Sequence, residues 1–338
     1  MKAYIRIITA ILCGIIIASL PFIVSSPVML DEAKDSVFED EDDGEEIDFG
    51  RIFFSSAMAE DDLIIEEISD DGFSSEAVLD LPIDFSPAPA PDTSLYTENT
   101  YEDPSISVSV ESMEENGVIW HIARVRIASP AQLRTGIAGE KVSSKKTRPV
   151  SSMAKMYNAV IAMNGDDFIM DSKKTTFEYR MGNKIRSKSN RLKDILIIDE
   201  NGDFHMFQKS ENIKEYKGQI INAFTFGPAL VIDGELINTD KGYGYNPNGK
   251  EPRAAIGQTG SLSYVMVIAE GRGESSGVNH QQLAQKMYDI GCIQAYNLDG
   301  GNSAEIVFGD QIFKGMPGGD ERSISDIIYL ASAIPEGE

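Results

Sequence analysis

Ile106-Ser107-Val108-Ser109-Val110 and, a few polar residues later, Val118-Ile119-Trp120-His121-Ile122-Ala123-Arg124-Val125-Arg126-Ile127 decide how the fold is read. Apolar residues recur at every second position and β-branched ones dominate, the pattern of strands with two unlike faces. Similar runs follow at 194–198, 204–207, 229–232 ahead of the Asp233-Gly234 turn, and 263–268. Two helical stretches lie among them. The clearer spans Asn279 to Ile290, with Leu283, Met287 and Ile290 on one face and Gly291 as the stop. The pattern predicts an α+β fold, a curved and largely antiparallel sheet with packed helices.

Upstream of Pro104 the chain changes character. After Lys2 and Arg6, Ile7 to Leu30 carries no charge, a length that at about 1.5 Å per residue spans roughly 30 Å of hydrocarbon. Basic residues before this run and acidic ones after it predict an N-terminal membrane anchor or signal segment over 1–30. The rest of the chain is then placed outside the cell membrane, single-pass, or secreted if the segment is cleaved. Residues 31–104 hold 25 Asp or Glu against only Lys34 and Arg51, and include Pro82, Pro87, Pro89 and Pro91. Self-repulsion and proline stiffness predict an acidic, then Pro-rich, disordered linker. The folded domain is expected over 105–335.

Charge and cysteine content narrow the function. The 338 residues carry a net −24, of which 31–104 supply −23 and 1–30 contribute +2, leaving −3 for the remainder. A near-neutral domain behind an acidic arm lacks the basic stripe of a nucleic-acid binder, so no nucleic-acid partner is expected. Cys13 lies in the apolar N-terminal run and Cys292 in a second apolar run, which excludes a disulfide framework; Cys292 reads as a small buried residue. His121, His205 and His280 lack the spacing of a zinc site, and no Walker sequence occurs. No cofactor is expected, a divalent cation being left open.

The chain also echoes itself. Met153-Ala154-Lys155-Met156-Tyr157 leads through 159–163 to Asn164-Gly165-Asp166, and Leu283-Ala284-Gln285-Lys286-Met287-Tyr288 leads through 292–296 to Asn297-Leu298-Asp299-Gly300-Gly301. Each half reads as helix, buried strand and carboxylate-bearing turn, by internal duplication or by chance. In the second turn, Asn297, Asp299, Gly300, Gly301, Asn302 and Ser303 combine a carboxylate, amides, a hydroxyl and close backbone approach. An Asx-turn with glycines at positive φ is the plain structural alternative. In the first turn, Asp166 and Asp167 stand side by side. Arg253, after Pro252, and Arg272, in Glu270-Gly271-Arg272, offer the planar fork that suits a phosphodiester, a surface or packing arginine being the plain structural alternative for each.

Taken in order, Ala162-Met163-Asn164-Gly165, Phe226-Gly227-Pro228-Ala229-Leu230 with Asp233-Gly234, Pro252-Arg253-Ala254-Ala255-Ile256-Gly257, Gly271-Arg272, Asn297-Leu298-Asp299-Gly300-Gly301 and Arg322-Ser323-Ile324-Ser325-Asp326 resemble the motif series of the phosphodiester glycosidases. The resemblance covers roughly 105–333. It departs from the family pattern at Glu270, where Asp is common, and at Asn302, where a third glycine is common. It implies a hydrolase that cuts between a sugar anomeric carbon and a phosphate oxygen, acting on cell-surface or exopolysaccharide-type substrates. It further implies Asp299 as nucleophile or base, Asp166 or Asp167 as the second carboxylate, Arg253 and Arg272 on phosphate, and Asn164, Asn297 and Ser303 orienting hydroxyls beside Gly300 and Gly301. The alternatives are a non-catalytic module that binds phosphate-containing surface polysaccharide, and a structural surface protein whose motifs only build turns.

Overall fold

The computed structural model describes residues 78–166, 168, 176–188, 193–239 and 246–334, which lie within one compact unit spanning Glu67–Glu338. The N-terminal segment, the acidic stretch up to residue 77 and Asp167 lie outside the described residues. The opening alternation forms a long hairpin, β2 (Ile106–Glu115) and β3 (Val118–Ile127), joined at Asn116-Gly117 with both residues left-handed (φ 53° and 73°). Two left-handed residues are what a tight hairpin turn needs, and Asn-Gly adopts them at low cost.

β2 and β3 belong to the largest sheet. With β1 (Thr100–Asp103), β11 (Ala229–Ile232), β12 (Glu235–Leu236), β13 (Arg253–Gly260), β14 (Ser263–Ala269) and β15 (Gln294–Leu298), they run in the order β1-β2-β3-β14-β13-β15-β11-β12. A second sheet, β17-β16-β5-β18-β4, uses β4 (Leu133–Ile137), β5 (Ile161–Asn164), β16 (Glu305–Phe308), β17 (Gln311–Lys314) and β18 (Asp326–Leu330). The third, β7-β6-β10-β8-β9, uses β6 (Phe177–Arg180), β7 (Asn183–Ser187), β8 (Ile195–Ile198), β9 (Phe204–Phe207) and β10 (Asn222–Phe224). Every registered strand pair among the described residues is antiparallel.

The principal core is strand against strand. Val125, Ile256, Met266 and Tyr296 of the first sheet meet Met163, Ile306 and Ile328 of the second and Leu196 and Phe224 of the third. Alternate residues of the first sheet, among them Trp120, Ile122, Ala255 and Val267, face the opposite way beneath α2 (His280–Asp289), which contributes Leu283, Ala284 and Met287. Both faces of β3 are therefore covered over Val118 to Ala123, while Arg124 is exposed, so the alternation is plainest in its second half. α1 (Val150–Met156) lays Val150, Met153 and Ala154 on the outer face of the second sheet, against Ala162, Val307 and Ile327.

These packing relations overturn the α+β assignment with its packed helices. The protein is a β-rich fold of antiparallel sheets, with two α-helices of 7 and 10 residues among the described residues. Both helical periodicities were genuine. Asn279 and Gln282 cap α2 reciprocally, Gln282 N–H to Asn279 Oδ1 at 2.8 Å and Asn279 N–H to Gln282 Oε1 at 3.1 Å, and Gly291 ends it at φ 93°. Each helix, however, covers part of one outer face, and neither enters the space between sheets. The apolar stripe of a short helix shows that it packs, not how large a layer it belongs to.

Residues 78–104, the end of the expected 31–104 linker, belong to this unit, their last part forming β1. Leu79 N–H donates to Ala333 O at 2.7 Å, and Leu81 and Ala88 are buried in the cluster beneath α1. Within the sheets, pairing sets the strand ends that carry the candidate residues: Asn164 opposite Ile327 in the second sheet, and Arg253 opposite Ala269 and Ala254 opposite Leu298 in the first.

Candidate active site

The Asn297–Ser303 turn is built by close approach. Asn297 is buried and donates through Nδ2 to Gly227 O at 2.7 Å. Gly301 N–H donates to Pro252 O at 2.8 Å with φ 62°, and a Cβ at Gly300 would lie 2.7 Å from that same carbonyl. Only glycine lets the turn sit so near the start of β13. The Asp299 side chain is carried to the rim with 18% of its surface exposed; Oδ1 accepts from Gly300 N–H at 3.0 Å and Oδ2 stands 3.7 Å from Arg322 Nη1. The same Arg322 nitrogen donates to Ser303 Oγ at 2.8 Å, and 40% of this arginine's side chain faces solvent.

Arg272 approaches from another side. It is held at φ 60° and grips Glu251 Oε2 through Nε at 2.7 Å and Nη2 at 2.6 Å, while Nη1 lies 3.8 Å from where a Gly301 Cβ would be. The preceding Glu270 is buried and anchors this turn: Oε1 lies 2.7 Å from His121 Nε2, and His121 Nδ1 lies 2.7 Å from Ser112 Oγ. Gly273-Glu274-Ser275-Ser276-Gly277 spells Gly-x-Ser-x-Gly, yet Ser275 is buried, its hydroxyl donating to Glu270 O at 2.7 Å and accepting from Ile119 N–H at 3.1 Å. It holds the turn and is not presented as a nucleophile.

Arg253 is placed differently. Only 3% exposed, it donates to the carbonyls of Asn246 at 2.7 Å, Gly249 at 3.1 Å and Val278 at 3.3 Å. Burial pulls its guanidinium down to about 10, opposed by Glu251 and reinforced by Arg272. It braces the 246–249 loop from within.

The first turn meets the second through Asn164, whose Nδ2 donates to Asp299 O at 2.8 Å and whose Oδ1 accepts from Glu305 N–H at 3.1 Å. Beyond it the chain turns inward. A Cβ at Gly165 would lie 2.2 Å from the Asp326 carboxylate. Asp166, with 1% of its side chain exposed, accepts from Arg180 Nη2 at 2.5 Å and from Thr225 N–H at 3.0 Å. Arg180 also donates to Asp326 Oδ2 at 2.9 Å and to Glu178 Oε2 at 3.3 Å, and it stacks 4.1 Å from the Phe224 ring centroid. Burial, then the Asp166 charge, raises Glu178 well above the usual carboxyl range. Burial opposes the Arg180 charge, but the surrounding carboxylates outweigh it and the net shift is upward.

Thus Asp299, Gly300, Gly301 and Arg272 are gathered at one rim with Arg322; Asn164, Asn297 and Ser303 lie buried just beneath; Arg253 and Asp166 are each enclosed in a bracing network. The profile of the phosphodiester glycosidase family matches residues 157–331, a span that includes all of these positions. The chain belongs to the phosphodiester glycosidase family. Its residues are 31% identical over 111 positions to the SPbeta prophage-derived uncharacterized protein YomE of Bacillus subtilis (strain 168), a match covering 32% of this chain and 17% of that protein's length. The fold is similar to the zebrafish N-acetylglucosamine-1-phosphodiester alpha-N-acetylglucosaminidase catalytic domain, at TM-score 0.51 and 17% identity, over 72% of this chain and 87% of that one. A hypothetical protein from Synechocystis matches at TM-score 0.46 and 13% identity, over 68% of this chain and 63% of that one.

Several residues around this candidate site carry no role in the sequence reading. Arg322 stood in a quoted motif, but its placement over Ser303 and Asp299 depends on the loop after β17. Arg180, Glu178 and Asp326 form the buried network that takes up Asp166. The available signal was the inverted alternation of Phe177-Glu178-Tyr179-Arg180, where the charged residues are the buried ones. Among the described residues no group of three or more His, Cys, Asp or Glu is arranged to hold a metal ion, and no helix is long and apolar enough to cross a membrane.

Proposed function

We propose that this chain hydrolyses the glycosidic bond of sugar 1-phosphodiesters, releasing free sugar and a phosphate monoester. The observation that carries the reading is the Asp299 carboxylate at the rim, 3.7 Å from the Arg322 guanidinium, with Arg272 across Gly301. A carboxylate beside two cationic forks suits a substrate that develops positive charge at its anomeric carbon and keeps negative charge on its phosphate. Phosphate is already a good leaving group, so the arginines do much of the work by holding it, and Asp299 acts as nucleophile or as base toward water. Ser303 lies within reach to orient a hydroxyl; Asn164 and Asn297 fix the two turns relative to each other and to Gly227.

The finer reading places the enzyme outside the membrane, acting on phosphodiester-containing cell-surface or exopolysaccharide-type substrates. It rests on the uncharged run from Ile7 to Leu30 after Lys2 and Arg6, and on the acidic arm, which disfavours nucleic acid. The test is to incubate the purified chain with a panel of sugar 1-phosphodiesters and follow free sugar. Turnover that disappears in Asp299→Asn supports the assignment. Saturable binding without any sugar release would replace the enzyme by a binding module.

A further inference from the structure

Away from the Asp299 rim, three side chains form a hydrogen-bonded chain across neighbouring strands of the first sheet. Ser112 of β2 and His121 of β3 are partners in register, and Glu270 directly follows β14, the next strand along. Ser112 Oγ lies 2.7 Å from His121 Nδ1, and His121 Nε2 lies 2.7 Å from Glu270 Oε1. A carboxylate only accepts, so it fixes a proton on Nε2 and leaves the Nδ1 lone pair facing the serine hydroxyl. His121 and Glu270 are each 8% exposed, whereas Ser112 is open to solvent. We infer that these residues form a second reactive centre, a serine nucleophile with its base and a positioning carboxylate, which takes the acyl group of neutral carboxylic esters.

The surroundings hold the base and leave the hydroxyl accessible. The Glu270 backbone is fixed on both sides, its N–H donating to Ile119 O at 2.9 Å and its carbonyl accepting from Ser275 Oγ at 2.7 Å, and the imidazole packs 5.1 Å from the Phe313 ring. A base carried on a strand and locked by its neighbours is preorganised. The backbone of β2 contributes as well. Val110 N–H donates to Asn99 O at 2.8 Å, toward β1, and the β2–β3 register runs unbroken to Glu115. N–H directions repeat every second residue, so Ser112 N–H points off the same edge, beyond the end of the β1 pairing at Thr100 opposite Ser109. There it can meet an oxyanion. Ser112 Oγ attacks the ester carbonyl carbon while its proton passes to His121 Nδ1. On collapse the bond to the alcohol oxygen breaks and the alcohol leaves with that proton; water, activated by the same imidazole, then releases the acid from the acyl-serine. Glu111, Glu114 and Glu115 are exposed around Ser112, which favours a neutral acyl group over an anionic one.

The experiment treats the full chain with an alkyl fluorophosphonate, which bonds phosphorus to such a serine oxygen with loss of fluoride, and separately with para-nitrophenyl acetate. Peptide mass spectrometry is expected to find stoichiometric label on Ser112, and nitrophenol release should exceed the uncatalysed rate. Ser112→Ala, at an exposed position, should abolish both while melting temperature and any sugar 1-phosphodiester turnover stay unchanged. His121→Gln should lower nitrophenol release by roughly 10²- to 10⁴-fold. Glu270→Gln should lower kcat at unchanged KM, the mark of a group that acts through the imidazole. An unlabelled wild type, label on another residue, or ester hydrolysis that persists in Ser112→Ala overturns the inference. Because acyl and phosphonyl transfer are read directly, the outcome is independent of whether a phosphodiester is cleaved at Asp299.

Discussion

At the end of β5, Asp166 is drawn inward onto Arg180, and its charge goes into joining the second sheet to the third. At the end of β15, a turn of similar spelling carries Asp299 outward, where it keeps a solvent-facing carboxylate beside Arg322. The two turns even touch, through Asn164 and Asp299 O. What separates them is what each turn meets. One meets a buried guanidinium fourteen residues further along the chain; the other meets the Pro252 carbonyl, which leaves room for backbone alone. A carboxylate in a glycine turn acquires its role from its partner, not from the turn.

The contrast can be broken most decisively at Asp299. Asp299→Asn is expected to lower turnover by roughly 10²- to 10⁴-fold with little change in melting temperature, measured on one preparation with Asp310→Asn as control. Asp166→Asn should do the reverse. Exchanging an acceptor for an amide against Arg180 is expected to cost about 1.5–3 kcal/mol of stability, visible as a lower urea midpoint, while the folded molecules keep near-normal rates. If both variants lose activity equally with unchanged stability, the distinction between the turns is wrong.

Smaller effects sharpen it. Arg322→Ala should raise KM by about 10- to 100-fold, the loss of a charge-assisted hydrogen bond to phosphate, whereas Arg253→Met should appear first in thermal stability. The helices leading into the turns differ as well. α2 carries its own cap, so Asn279→Ala is expected to cost about 1 kcal/mol without altering kcat; α1 lacks a side-chain bond from its own N-cap residue and is bound at Ser151 by Glu321.

The least conspicuous effect concerns pH. Folding raises Glu305 from its ordinary 4.5 to about 9, so its contribution to stability is whole below pH 4.5 and is lost as pH climbs through about 9. Glu321, lowered by folding, works in the opposite sense and is whole above its ordinary value. The melting temperature of Glu305→Gln relative to wild type should therefore rise steadily across that interval; a difference that stays flat would refute the upward shift that burial imposes on Glu305.

The parts of this architecture that can be read locally were legible. β3 shows its period in ten residues, α2 announces itself with Asn279, Leu283, Met287 and Gly291, and the Asp299 turn is marked by its adjacent glycines. What sequence could not supply was the identity of distant neighbours. Alternation in Phe177-Glu178-Tyr179-Arg180 normally sends charges to solvent, but here Asp166 and Asp326 from the second sheet, with Glu178 of its own strand, surround Arg180 and supply the anions that make its burial tolerable. Arg253 looked suited to phosphate for the same local reason that Arg272 did, and only the fold reveals that backbone carbonyls surround it. The helices were overweighted because their stripes reveal contact with a sheet without revealing that the sheets pack mainly on one another.

Arg134 in β4 has its own lesson for handling the protein. Its buried guanidinium reaches five acceptors, Tyr329 Oη at 2.9 Å, Ala131 O at 3.2 Å, and the carbonyls of Pro82 at 2.9 Å, Asp84 at 3.1 Å and Ser86 at 3.2 Å. A truncation at residue 105 would remove three of the five and strand a permanent cation in the interior. The shortest fragment worth expressing therefore begins ahead of Leu79. Because the arginine takes its three bonds to this stretch from main-chain oxygens, it fixes the backbone course of Pro82 to Ser86, while side-chain identity is held at Leu81 and Ala88, buried beneath α1, and at Asp84, whose carboxylate stands 3.9 Å from the guanidinium.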